Sequence, residues 1–198
     1  TYTQNGRWVL ARLNMELGTL TPIETPYSAI YDLHVDNGYA CFIGGSATRP
    51  NAVVRLNLQT NEAQVLRQST ELTVDPAYLS VPEPVEFPTE NGLTAHAIYC
   101  PPANRDFAAP EGELPPLLVL SHGGPTSATD PTLSLSKQYW TSRGFAVLDV
   151  NYGGSTGYGR AYRQRLNGQW GIVDVQDCVN GASYLVQQGL ADGRRLAI

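Results

Sequence analysis

Two short apolar runs, "PLLVLS" at 116–121 and "FAVLDV" at 145–150, constrain this chain more than anything else in it. Each is almost unbroken by polar residues, which is how a strand covered on both faces of a parallel sheet reads. Between them, Asp130-Pro131 offers an N-cap followed by proline at the first helical position. Leu135 and Tyr139 then share a helix face, and Gly144 can close the helix. After the second run, Val175, Cys178, Val179, Ala182, Leu185 and Val186 follow the i, i+3, i+4, i+7 stripe, with Asp174 as cap and Gly189 as terminator. "RRLAI" at 194–198 then begins a third buried strand. Strand–helix–strand–helix–strand predicts right-handed crossovers and an open α/β sheet.

Residues 1–70 have another rhythm. "AIYDLHV", "YACFIGG", "AVVRLNL" and "AQVLRQS" are strand-like and bounded by turn formers at Asp36-Asn37-Gly38, at 46–51 and at Thr60-Asn61. Arg12-Leu13-Asn14 recurs as Arg55-Leu56-Asn57, 43 positions later, and each copy is followed by a turn and another strand. That offset matches one four-stranded blade of a β-propeller, although a small β-sandwich fragment fits the same strands. Prolines 76, 82, 84 and 88 mark 71–88 as an extended connector, and Asn91-Gly92 punctuates a hairpin between "VEFPTE" and "LTAHAIYC". The expected division is therefore 1–70, the C-terminal blades of a β-propeller; 71–88, a linker; and 89–198, the N-terminal portion of an α/β domain. The chain begins at Thr1 and stops inside a strand-like run, so it reads as an internal piece of something longer.

A formal charge of −5 and no Lys/Arg cluster argue against a nucleic-acid surface, and no apolar run is long enough to cross a bilayer. Three cysteines, far apart and odd in number, suit a reducing, cytoplasmic setting better than a disulfide framework. None has metal-ligand spacing, and neither His34 nor His96 has a carboxylate or cysteine at such spacing, so no metal or cofactor is expected.

The chemistry concentrates after the first apolar run, in Ser121-His122-Gly123-Gly124-Pro125. Glycines at the mouth of a parallel strand let backbone N–H groups turn outward, and amides aimed at one point stabilise the oxyanion of acyl transfer. His122, Gly123 and Gly124 are thus the catalytic candidates, with His122 orienting the loop or lending the hole a polar edge. The tight-turn reading of the glycines competes with this one. Gly153-Gly154-Ser155-Thr156-Gly157 satisfies the G-x-S-x-G pattern of a nucleophile elbow, yet it follows the wrong strand, and no histidine occurs beyond His122. Ser155 is therefore not expected to be the nucleophile. The turn it occupies should lie beside the pocket, with Tyr152 and Tyr158 as candidate substrate-binding side chains.

With "LLVLSHGGPTS", "SRGFAVLDVNYGGSTGYGR", "WGIVDVQDC" and "DGRRLAI" in order over 117–198, the sequence resembles the prolyl oligopeptidase family of serine peptidases, in its acylaminoacyl-peptidase and dipeptidyl-aminopeptidase-like branch. The resemblance implies a propeller capping an α/β-hydrolase domain and hydrolysis of short peptides through an acyl-enzyme. It places the nucleophile a few residues past Ile198, with acid and histidine later still. His122 stands where prolyl oligopeptidases carry a tyrosine whose hydroxyl completes the oxyanion hole, and Gly153 stands where arginine is common. Asp174 and Asp177 match acidic positions at the second helix and are read as capping and macrodipole partners. The partner implied is a short peptide, with a homo-oligomer as an option. Two other readings remain: a carboxylesterase-type α/β-hydrolase, and a non-catalytic propeller binding module.

Overall fold

The computed structural model describes residues 1–4, 6–71 and 73–198, so Asn5 and Leu72, inside the expected blade and connector stretches, lie outside the described residues. The chain divides into two compact units, one of residues 1–73 with 130–133, the other of 74–129 with 134–198.

The first unit is antiparallel throughout. Strands β1 (Tyr2–Gln4), β2 (Arg7–Asn14) and β3 (Thr19–Ile23) form one sheet in that order. Strands β4 (Ala29–Asp36), β5 (Tyr39–Ser46), β6 (Arg49–Asn57) and β7 (Ala63–Gln68) form a four-stranded meander. Alternating Ala40 and Phe42 on β5, and Ala52, Val54 and Leu56 on β6, face a core shared with Leu10, Ile23, Tyr27 and Ile30. Asn37 and Gly38 both have positive φ, 46° and 80°, the backbone of a two-residue hairpin turn. The expected turn at 46–51 is shorter, because β6 already begins at Arg49. The sequence echo has a physical basis. Asn14 Oδ1 accepts from the Glu16 and Leu17 amides at 3.0 Å each, and Asn57 Oδ1 from the Gln59 and Thr60 amides at 2.8 and 3.2 Å. Each asparagine builds the turn that leads out of its strand.

The second unit holds a five-stranded mixed sheet. Strand β8 (Glu83–Pro88) pairs antiparallel with β9 (Thr94–Cys100) across the hairpin expected at Asn91-Gly92. Strand β10 (Leu117–Ser121) leads to helix α1 (Leu135–Thr141) and β11 (Ala146–Asn151); helices α2 (Arg160–Gln164) and α3 (Val173–Gln187) follow, then β12 (Leu196–Ala197). The sheet order is β12-β10-β11-β9-β8, with β10 parallel to both β11 and β12. Alternation sorts the side chains: Ala146, Leu148 and Val150 pack with Cys178, Ala182 and Leu185 of α3, while Val147 joins Ile98 and Cys100 on the opposite face.

Several expectations need correction. Residues 83–88 of the expected linker are an edge strand, where prolines cost no ladder bond, and Phe87 there is buried. Helix α1 starts at Leu135 with Ser134 as cap, because Asp130 is committed to Thr132 and to the Tyr31 hydroxyl. Leu135 and Tyr139 are exposed; the buried residues are Thr141 and Gln138, whose amide bonds the Ser80 N–H and C=O at 2.8 and 2.9 Å. In α3 the buried face is Asp177, Cys178, Gly181, Ala182 and Leu185, leaving Val175 and Val179 exposed. Gly189 does end that helix, at φ 70°. Strand β12 lies at the sheet edge with Leu196 44% exposed, so it is not the buried strand expected.

The three cysteines are free thiols. Burial pushes Cys100 and Cys178 up to about 11, from an ordinary 9.0. Alkylation of the folded protein at pH 8 is expected to label half-buried Cys41 first and to reach the other two only on unfolding. Because the unfolded thiols ionise first, their contribution to stability is whole below pH 9 and is lost as pH rises toward about 11. Mass-resolved labelling and pH-dependent melting check both.

Candidate active site

The parallel pairing decides where the chemistry can sit. Ser121 of β10 lies opposite Val150 of β11, so the loops following both strands leave the same sheet edge. On the other side β12 runs parallel to β10, with Leu117 opposite Leu196. From β10 the chain crosses over to β11 on one side and later returns to β12 on the other. The carboxyl end of β10 is thus a topological switch point, where open α/β sheets place their ligand crevice.

At that point His122 to Pro125 turn away from the ladder. Among the described residues, neither the Gly123 nor the Gly124 amide donates to another group, and both residues are exposed. A Cβ at Gly123 would meet nothing within 4 Å; at Gly124, where φ is 129°, it would fall 2.9 Å from the Ser127 Cβ. Gly124 is therefore needed for the bend itself, while Gly123 leaves open space before its amide.

The loop after β11 clamps this one. The single hydrogen of the buried Tyr152 hydroxyl is shared between the carbonyls of His122 and Pro125, at 3.0 and 2.8 Å, and the tyrosine ring stacks on His122 at 4.5 Å between centroids. Ser155 Oγ lies 2.6 Å from His122 Nε2, and His122 Nδ1 lies 3.1 Å from the Gly123 carbonyl. The Thr156 amide donates to the Ser127 carbonyl at 2.8 Å.

Beneath the loop a second tier holds its far end. The Asn151 side chain bonds the Thr129 N–H and C=O at 2.8 and 3.1 Å, and the Thr129 hydroxyl donates to Asp149 at 2.6 Å. Lys137 Nζ lies 2.5 Å from the same carboxylate, with side-chain exposures of 14% and 8%. The clamp is anchored in turn by Asp177, which is 2% exposed and accepts from the Gly153 amide at 2.7 Å and from the Thr89 hydroxyl. Asp177 is therefore a buried strut for the loop and not the macrodipole partner expected; Asp174, in the first turn of α3, accepts from the Gly171 amide at 2.7 Å. Tyr158 accepts from Asn151 at 3.1 Å and stacks on His96 at 4.3 Å. Burial lowers the pKa of His96, favouring the neutral ring. Among the described residues no cluster of three or more His, Cys, Asp or Glu is placed to hold a metal ion, and no helix is long and apolar enough to cross a membrane.

Residues 131–198 match the profile of the prolyl oligopeptidase family. The chain belongs to the prolyl oligopeptidase family. It is 44% identical to a puromycin-hydrolysing peptidase of Mycobacterium tuberculosis, with a TM-score of 0.93 over 97% of this chain and 30% of that one. An acylamino-acid-releasing enzyme of Arabidopsis thaliana is 37% identical over 87 residues, 44% of this chain and 11% of that protein. Dipeptidyl peptidase family member 6 of Caenorhabditis elegans is 32% identical over 136 residues, 67% of this chain and 17% of that protein. The chain thus spans less than a third of these relatives.

Family membership sharpens one departure already visible in the sequence. At Gly153 a Cβ would lie 2.9 Å from Val173 Cγ1 and 3.2 Å from Arg165 Cδ, so the arginine common at this position has no room here. Tyr152, expected to touch substrate, is only 3% exposed with its hydroxyl committed to two carbonyls; it braces the loop instead. The Ser155–His122 contact escaped sequence reasoning, since the two residues stand 33 positions apart and no spacing rule joins them.

Proposed function

We propose that the protein containing this chain is a serine peptidase that hydrolyses short peptides, of amino- or acylaminoacyl-peptidase type, through an acyl-enzyme. In this reading the second unit contributes the oxyanion-hole loop, with Gly123 and Gly124 presenting their amides to the reacting carbonyl. The observation that carries it is the pair of uncommitted glycine amides at the carboxyl end of β10, beside the parallel strand β12. Such donors act in the transition state, where charge moves onto the carbonyl oxygen, and stabilise the ground state much less. Serine attack, collapse of the tetrahedral intermediate and hydrolysis by water then follow the usual acyl-transfer order. The nucleophile, acid and histidine base of this reading lie in sequence beyond Ile198.

The same reading takes the four-stranded meander as a propeller blade and the three-stranded sheet as part of the preceding one, supported by the matching Asn14 and Asn57 turns. The connector ends where β8 begins, and the hydrolase domain starts there. A cytoplasmic setting is supported by three free cysteines. The relatives described above carry peptidase or acylamino-acid-releasing names, which favours a peptidase over a carboxylesterase or a binding module.

The test is parallel assay of the complete protein on aminoacyl and acyl-peptide anilides and on p-nitrophenyl esters. Efficient anilide hydrolysis supports the peptidase; esters alone being cleaved would make it an esterase, and inertness towards both would leave a binding module.

A further inference from the structure

The G-x-S-x-G segment at 153–157 has no part in the mechanism so far, although its serine makes one of the shortest hydrogen bonds to a ring nitrogen in the chain. The contacts of the ring assign how that bond is polarised. His122 Nδ1 lies 3.1 Å from the Gly123 carbonyl and 3.4 Å from the Tyr152 hydroxyl; the nearer partner can only accept, which assigns the hydrogen to Nδ1. In the neutral ring Nε2 is then bare, and the Ser155 hydroxyl, 2.6 Å away, must be the donor. The imidazole consequently has no free N–H: one nitrogen has none, and the other spends its own on the adjacent carbonyl.

We propose that Ser155 is a positioning residue, the bolt of a latch that fixes the oxyanion loop through His122, with Tyr152 as its second point of attachment. This rests on the hydrolase reading above and adds to it an assignment for the second loop. His122 sits between the clamp and the glycines. Ser155 holds its ring, the ring holds the Gly123 carbonyl, and Tyr152 holds the carbonyls of His122 and Pro125. These bonds set the planes of the peptides flanking Gly123, and with them the direction in which the Gly123 and Gly124 amides point. It follows that His122 is not itself an oxyanion donor in this chain. Ser155 has the hydroxyl-to-imidazole bond of an activated nucleophile, but it is 0% exposed, and Nδ1 of its imidazole faces a carbonyl where a triad supplies a carboxylate.

The test uses the complete protein with Ser155→Ala, Gly123→Val and the double variant, read as separate kcat and KM values on an aminoacyl anilide. Mass mapping of the serine labelled by a fluorophosphonate accompanies each. Ser155→Ala is expected to lower kcat about 10- to 100-fold with KM within about twofold, since a misplaced donor costs turnover more than binding. In the Gly123→Val background the same change should cost less than about twofold, because the amides that the latch aims are already obstructed. The label should stay on a serine other than Ser155. Tyr152→Phe, which keeps the ring and removes the hydroxyl, should show the same kcat-selective loss if Ser155→Ala folds poorly. Unchanged kcat in Ser155→Ala and Tyr152→Phe, or losses from Ser155→Ala and Gly123→Val that multiply, would overturn the latch while leaving the oxyanion loop standing. A label found on Ser155 would overturn it in favour of a nucleophile. Turnover indifferent to Gly123→Val would instead defeat the hydrolase reading, and the latch with it.

Discussion

Replacing Gly123 with valine in the complete protein is expected to cut kcat about a hundredfold or more while the fold and substrate binding survive. The magnitude is that of one lost oxyanion donor, about 3 kcal/mol. The fold should survive because a Cβ at Gly123 meets nothing within 4 Å, which leaves open space before the amide for the branched side chain to enter. The neighbouring glycine is the control. A side chain at Gly124 must adopt φ near 129° and crowd Ser127 at 2.9 Å, so Gly124→Val should damage the loop itself and lower the melting temperature as well as kcat. Circular-dichroism melting with steady-state kinetics on both variants separates the two effects. Equal turnover in wild type and a well-folded Gly123→Val would remove the loop from the chemistry.

The largest effect on stability is expected from Lys137→Met. Lys137 and Asp149 form an ion pair that is almost out of solvent, and among the described residues the Thr129 hydroxyl is the further hydrogen-bond partner of Asp149. Removing one member of such a pair strands the other charge, at a cost of about 3 kcal/mol or more. The isolated pair is not what stabilises the fold, since exchanging both partners for apolar groups of similar size is commonly neutral. Lys137→Met with Asp149→Leu should therefore recover most of the loss, read as the thermal unfolding midpoint of the complete protein. A single variant as stable as wild type would show that the carboxylate finds water or a proton without difficulty.

What could be read from the sequence followed from local chemistry. The parallel strands were legible because 117–121 and 146–151 bury residues on both faces, and unbroken apolar runs have no other ready explanation. The repeated Arg-Leu-Asn was legible because each asparagine caps the turn beside it, a contact spanning two or three residues. The misreadings came from contacts made over long stretches of chain. Asp130 looked like a helix cap, but its carboxylate is taken by Tyr31, 99 positions away. The inward face of α1 was misplaced because Gln138 replaces apolar packing with a two-way bond to Ser80, 58 positions away. In α3 the apolar stripe predicted a face that includes Val175 and Val179, whereas Asp177 turns inward to hold Gly153. The glycines of the 122–125 loop were legible by type. Their support was not, because Tyr152 and Thr156 reach backbone carbonyls, which any sequence would supply.

The central assignment is that the Gly123 amide meets the oxygen on which charge develops. It is tested most directly by a crystal structure of the complete protein inactivated with a peptidyl phosphonate, whose tetrahedral phosphorus stands in for the carbonyl carbon at the transition state. The phosphonyl oxygen is predicted to lie about 3 Å from the Gly123 nitrogen, within hydrogen-bond range. An adduct whose oxygen faces away from residues 121–125, with the Gly123 amide still uncommitted, would contradict the account.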